Sequence, residues 1–282
     1  MAIGFTFNML LAQAGIAPSD VRLMRHQTVA NDGLTPYSLW RDDVLEFERY
    51  QSAQKADRRS YFASRYWAGF VVPPDGSTLF AGLYEIAGYE PVPVDWIDPL
   101  MRATAAQMGR ELDLYHYRRV SEFDHLTGRL KVDWGPGTRS WAQRADSDAG
   151  SKPVTELMRT FREPDFPGFT NFIGNLGGLP SLPLTWVAAL SSARGIYLLT
   201  CPRTREQYVG SAYGADGFWG RWQAYVATGH GGNVALKSRD PSYYQISVLE
   251  VAGSAATAEQ IIAMEQLWKD KLQSRDMGLN RN

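Results

Sequence analysis

Residues 163–184, EPDFPGFTNFIGNLGGLPSLPL, contain four prolines and four glycines. Proline lacks an amide proton and is barred from helix interiors and central strands. Glycine weakens an ordered element through its conformational freedom. No long helix or central strand crosses such a stretch, so the segments on either side must build separate cores. Phe166, Phe169, Phe172 and Ile173 still demand burial, which makes the stretch an ordered but irregular connector rather than a slack linker. With 282 residues the chain is long enough for two domains. The expected division is a strand-rich domain over 1–165, a connector over 166–190 and a second domain over 191–282.

The first region mixes element types. Residues 6–14 read as a short helix closed by Pro18 and Asp20. VRLMRH (21–26) alternates like a strand. Residues 38–55 put Leu39, Trp40, Val44, Phe47 and Tyr50 at helical spacing. TLFAGLYEIAGYEPVPV (78–94) and RLKVDW (129–134) read as strands, and residues 133–153 read as loop. One helix followed by short strands predicts a mixed, partly barrelled β domain.

The last region has clearer punctuation. RGIYLLT (194–200) and QYVGSA (207–212) are short strands joined by CPRTRE, which predicts a hairpin. FWGRWQAYVATG (218–229) predicts a helix, and YYQISVLEVA (243–252) a third strand. Residues 257–275 predict a final helix, with Thr257 and Gln260 at capping-box positions and Ile261, Met264, Leu267, Trp268 and Leu272 as its apolar stripe. The expected fold class is α+β, with a three-stranded antiparallel sheet flanked by helices in the second domain.

Composition narrows the function classes. Net charge is −1, so no global basic field attracts nucleic acid. Residues 191–282 hold ten Lys/Arg against eight Asp/Glu, whereas residues 1–190 hold nineteen against twenty-two. Any nucleic-acid surface is therefore local. The single cysteine, Cys201, excludes an internal disulfide framework and a Cys-rich zinc site. Residues 3–16 are only mildly apolar and lack a basic leader, so a cytoplasmic protein with no membrane partner is expected.

Phosphodiester hydrolysis requires an activated water, a neutralised phosphate and a stabilised leaving oxygen. A carboxylate-held divalent ion, an arginine and a general base supply these. Tyr197 and Tyr208 stand on adjacent strands of the hairpin. Arg221 lies on the following helix, His230 just beyond it, Glu265 beside the stripe of the last helix, and Asn280 in the tail. Each has a plainer reading: packed strand tyrosines, a solvated helix glutamate, a C-terminal capping histidine.

Their order changes that balance. Gly195-Ile196-Tyr197 and Tyr208-Val209-Gly210, followed in sequence by Arg221, His230, Glu265 and Asn280, resemble the GIY-YIG endonuclease superfamily. The resemblance covers about residues 190–282, with valine at the middle of the second tripeptide. It implies that Glu265 holds one Mg²⁺ or Mn²⁺ and that one tyrosine is the base assisted by the other, with Tyr197 the favoured base and Tyr208 polarising the site, or the reverse. It further implies that Arg221 clamps the scissile phosphate, His230 orients the tyrosine or the water, and Asn280 fixes the pocket. Gly195 and Gly210 would allow close backbone approach, with Gly210 also near nucleic acid.

Residues 1–165 would then choose the target. They faintly resemble modified-base readers of the PUA/EVE kind in FAGLYEI and LKVDWGPG, without a diagnostic motif. Trp67, Phe80, Tyr84, Trp134 and Trp141 are candidates for a cage around a flipped base, or for a packed core. Arg58 and Arg59 are candidate nucleic-acid contacts, as are Arg25 with His26 and Arg118 with Arg119. His116, Asp124 and His125 lack regular metal-ligand spacing. The expected function is metal-dependent endonuclease action on DNA, in restriction or phage defence, with a possible homodimer. The alternatives are an inactive nucleic-acid or partner-binding module with a nuclease fold, and an RNA-directed nuclease.

Overall fold

A computed structural model describes residues 4–30, 33–136, 140–201, 203–228 and 244–280. The chain divides into two compact units. The first comprises Met1–Thr28 and Thr35–Glu163, the second Val29–Leu34 and Pro164–Asn282. The protein is mixed α/β and strand-rich, with a half-barrel sheet in the first unit and an antiparallel sheet in the second.

The first unit runs α1 (Phe7–Gln13), β1 (Val21–His26), α2 (Pro36–Asp42), α3 (Val44–Ser52), β2 (Ala53–Lys55), α4 (Arg59–Phe62), β3 (Tyr66–Val71), β4 (Thr78–Pro91), β5 (Leu112–Arg119), β6 (Leu130–Val132), β7 (Ala142–Arg144) and β8 (Val154–Leu157). The strand order is β2-β5-β4-β3-β1-β7, with β6 bridging β4 and β8. β1 pairs parallel to β3, and the other pairings are antiparallel. β4 is long enough to serve β3, β5 and β6, and its register shifts against β5 between Ile86 and Gly88.

Three expectations change here. The helix read over 38–55 is two helices, because Asp43 leaves the helical conformation and caps the second through the amides of Leu45 and Glu46. β1 does not alternate: all six residues are buried, as befits an inner strand. Its polar members are therefore held internally, Arg25 by donating to Thr78 Oγ1 (2.9 Å) and Arg22 by lying over the Tyr61 ring. Neither Arg25 nor His26 presents a surface to phosphate. Trp67, Phe80, Tyr84 and Trp134 are core residues, and of the proposed cage only Trp141 is partly exposed.

The second unit runs β9 (Ile173–Asn175), α5 (Leu184–Ser192), β10 (Gly195–Thr200), β11 (Gln207–Ala212), α6 (Gly217–Thr228), β12 (Gln245–Val251) and α7 (Ala258–Lys271). The sheet is four-stranded, β11-β10-β12-β9, rather than three-stranded. The extra strand comes from the proline- and glycine-rich stretch, whose Phe172, Leu176 and Leu179 enter the core of this unit. The stretch expected as a connector is therefore part of the second unit. α5 and α6 pack on one sheet face with Phe172, Trp186 and Leu190. α7 covers the other, over Ile196 and Val209.

The capping box of Thr257 and Gln260 forms as read. The centre of the α7 stripe does not follow the reading. Its deepest residues are Ile261, Glu265 and Lys269, while Leu267 is half-exposed. Among the described residues no helix is long and apolar enough to cross a membrane.

Candidate active site

Strand alternation sorts the β10–β11 hairpin into two faces. Tyr197 pairs with Gly210 and Leu199 with Tyr208, so Tyr197, Leu199, Tyr208 and Gly210 point toward α6. Ile196, Val209 and Ser211 point toward α7. The tripeptide glycines make room for neighbours. A Cβ on Gly210 would lie 2.4 Å from Tyr197 Oη, and one on Gly195 would lie 2.1 Å from the Glu250 carbonyl oxygen. Gly210 is buried beneath the tyrosine, so it offers no surface to nucleic acid.

α6 presents Arg221 and Tyr225 one turn apart, on the same side of the helix. It is seated by Phe218 and Trp222, the latter stacked on Phe172 at 5.6 Å. Tyr197 Oη and Tyr225 Oη lie 2.8 Å apart and share a hydrogen bond. Arg221 Nε donates to Tyr197 Oη at 3.3 Å, and Nη2 to Tyr225 Oη at 3.5 Å. Burial pushes the Tyr197 phenol well above its ordinary value and Tyr208 adds to the rise, while Arg221 opposes it. Burial raises Tyr225 in the same way. Burial works against the Arg221 charge, but the surrounding phenols more than offset it, so the guanidinium stays ionised. The result is a fixed positive charge held by two neutral phenols. Tyr208 sits beside this cluster, its ring 6.4 Å from that of Tyr225, and forms no hydrogen bond through its hydroxyl among the described residues.

Glu265 and Asn280 lie elsewhere. Glu265 is on α7, on the opposite sheet face. Its Oε2 accepts from the Ser211 hydroxyl, and its Oε1 is 2.8 Å from Lys269 Nζ. Lys269 is fully buried. Asn280 binds the open edge of β11 in both directions. Oδ1 accepts from the Val209 amide (2.9 Å) and Nδ2 donates to the Val209 carbonyl (2.8 Å). The structure thus brings together Tyr197, Tyr208 and Arg221, places Glu265 across the sheet from them, and uses Asn280 as an edge clasp. His230 lies outside the described residues.

A carboxylate is the right donor for Mg²⁺ or Mn²⁺, and each oxygen of Glu265 keeps a second lone pair beside its present partner. Among the described residues no group of three or more His, Cys, Asp or Glu could hold a metal ion. The donor set fits an ion held by one protein carboxylate, with water and substrate completing its shell. It does not fit a closed protein chelate. Lys269 already supplies a positive charge at that carboxylate and would compete with the ion.

In the first unit, Arg59 grips the buried carboxylate of Asp113 with two hydrogen bonds (2.6 and 2.9 Å) and lies over Tyr89. It is thereby committed to the fold rather than to nucleic acid. Arg118 and Arg119 likewise hold Glu85 and Asp124. Arg58 is exposed at the rim of a cavity.

Three residues of the site escaped the sequence reading. Tyr225 was legible in principle as the residue one turn beyond Arg221. Ser211 follows the second tripeptide directly. Lys269 stands one turn beyond Glu265, where a lysine reads by default as solvated.

No family model matches the chain, and no curated protein matches it. Two solved structures are similar to it. A variant of the catalytic domain of intron endonuclease I-TevI is 24% identical over 32% of this chain and 94% of that one, with a TM-score of 0.27. The catalytic domain of homing endonuclease I-TevI is 25% identical over 32% of this chain and 98% of that one, also with a TM-score of 0.27.

Proposed function

We propose that the chain is a metal-dependent endonuclease that hydrolyses phosphodiester bonds in DNA. The observation that carries this reading is the Arg221 guanidinium, held charged between Tyr197 and Tyr225 beside the unbonded hydroxyl of Tyr208. The order of the tripeptides and the later polar residues, which resembles GIY-YIG nucleases, supports it. In this reading Arg221 binds the scissile phosphate and spreads its charge. Tyr197 is engaged by two partners and acts as a positioning residue for the guanidinium. Tyr208 takes the place of the base, because its hydroxyl makes no hydrogen bond among the described residues.

Glu265 would hold a Mg²⁺ or Mn²⁺ ion, which when bound neutralises phosphate charge and lowers the pKa of a water. Tyr208 and Ser211 both stand on β11, an edge strand, separated by about 10 Å of extended chain. A setting in restriction or phage defence is part of the same proposal, as is a dimer for cutting both strands.

The test is nicking of supercoiled plasmid by the full chain, with Mg²⁺ or with EDTA. Arg221→Ala should lower the rate on the order of 10²–10³-fold, and Tyr208→Phe should lower it similarly. EDTA should abolish it. Cleavage that ignores Arg221→Ala would sink the assignment. The engagement of Glu265 by Lys269 and Ser211 favours a second reading, an inactive nuclease fold that binds nucleic acid. Retained DNA binding with no cleavage under any divalent ion would select it.

A further inference from the structure

The first unit contains a cavity of about 670 Å³, within the range of small-ligand sites. Its walls are aromatic. The buried His26 ring lies 5.5 Å from Tyr50 and 5.8 Å from Trp141, and Trp141 lies 5.9 Å from Phe62. Tyr61 completes the wall, fixed by donating its hydroxyl to the Ala142 carbonyl. Tyr50, Tyr61 and Trp141 keep partial exposure, so ring surface faces the space. Burial holds His26 at a pKa of about 4, which leaves that wall uncharged near neutral pH.

The rim is cationic. Lys55, Arg58 and Arg110 are exposed there. Elsewhere in the unit Arg41, Arg59, Arg65, Arg118, Arg119 and Arg144 each hold a carboxylate within 3.3 Å. Lys55 and Arg58 form no such pair among the described residues, so positive charge is left unmatched at the mouth.

The interior also offers hydrogen-bond acceptors. Asp98, 7% exposed, spends Oδ1 on the amides of Leu100 and Met101, and Oδ2 takes no hydrogen bond among the described residues. Gln54 spends an amide N–H on the Gln51 carbonyl, and its Oε1 takes no hydrogen bond among the described residues. Aromatic ring surface, acceptors for N–H groups and a cationic mouth fit one class of molecule.

We propose that this cavity binds a single nucleotide, with the base against Trp141 and its neighbours, base N–H groups toward Asp98 and Gln54, and the phosphate on Lys55 and Arg58. The nucleotide is either free or turned out of a nucleic-acid strand. The proposal does not depend on the nuclease reading, since none of its residues lies in the second unit.

The test uses the full chain in EDTA, so that cleavage plays no part. Isothermal titration calorimetry is used to follow the addition of the four deoxynucleoside monophosphates, single-stranded oligonucleotides, and an oligonucleotide in which every site is abasic. Binding of monophosphates comparable to that of oligonucleotides assigns the site to free nucleotides, whereas binding of oligonucleotides alone assigns it to a strand. In either case the abasic strand should bind at least tenfold more weakly, and Trp141→Ala should cost about tenfold or more. Trp141→Phe should retain most of the binding, which separates stacking from misfolding. Arg58→Glu, a surface change that cannot disturb the core, should weaken binding and flatten its salt dependence. Undiminished binding to the abasic strand, insensitivity to both Trp141→Ala and Arg58→Glu, or no binding to any probe would overturn the proposal.

Discussion

Replacing Glu265 should damage the fold before it damages any chemistry. Lys269 is fully buried and Glu265 is 9% exposed, with Oε1 2.8 Å from Nζ. Glu265→Ala removes the carboxylate paired with a buried ammonium, and breaking such a pair costs roughly 3–5 kcal/mol. That is a large part of the 5–15 kcal/mol typical of a folded domain, and it corresponds to a fall in Tm on the order of 10–20 °C. The loss reflects the removal of the ammonium's carboxylate partner rather than the pair's intrinsic worth. The double variant Glu265→Gln with Lys269→Met should therefore recover most of it. The assay is urea unfolding followed by circular dichroism at pH 7 on the wild type, each single variant and the double variant, read as a cycle. Equal midpoints for Glu265→Ala and wild type would refute the buried ion pair. So would single-variant losses that simply add in the double variant. Cleavage tests with Glu265→Ala are informative only at temperatures where that variant is shown to be folded.

Other perturbations have equally definite outcomes. Gly210→Ala would force a Cβ to within 2.4 Å of Tyr197 Oη; a loss of about 1–3 kcal/mol is expected, with partial relief from Tyr197→Phe in the same thermal melt. Asn280→Ala removes both side-chain bonds to Val209; a loss of roughly 1–3 kcal/mol, with faster amide exchange at Val209, is expected, and unchanged exchange would contradict the clasp. His26 has its folded-state pKa lowered from 6.5 to about 4 by burial. A depressed pKa gives stability that is present above the unfolded value and lost as pH falls through the folded one, so roughly 3 kcal/mol should disappear between about pH 6.5 and 4. Urea midpoints across that range should flatten in His26→Phe.

How much was legible in the sequence depended on whether a residue's surroundings are local. The β10–β11 hairpin was readable because its alternation, its glycines and its turn lie within twenty residues. The α6 and α7 helices were readable by period, and the α7 cap by Thr257 and Gln260. β9 was not, because three residues between glycines and prolines acquire strand character only when β12 pairs with them. The burial of Lys269 was hidden for a similar reason, since it depends on Glu265 one turn away and on a sheet face that the helix sequence does not specify. Asp43 split the helix read over 38–55 by taking its own side chain to the next two amides, a choice that hydrophobic spacing does not register. In the site, the sequence order brought Tyr197, Tyr208 and Arg221 into one list with Glu265, but order says nothing about which face of a sheet a residue occupies.

The segment Val29–Leu34 belongs to the second unit although it sits far upstream in the chain. Gly33 (φ +84°) approaches so closely that a Cβ there would overlap the Gly177 carbonyl at 1.2 Å, and its own carbonyl accepts from Ser181 Oγ at 2.6 Å. A gene fragment beginning at residue 164 would therefore encode the candidate nuclease without the strap that covers Gly177 and Ser181. Exchange of this module between proteins, by recombination or by a cloner, cannot proceed by a single cut: whatever inherits the second unit must also inherit, or reinvent, six residues from the other end of the reading frame.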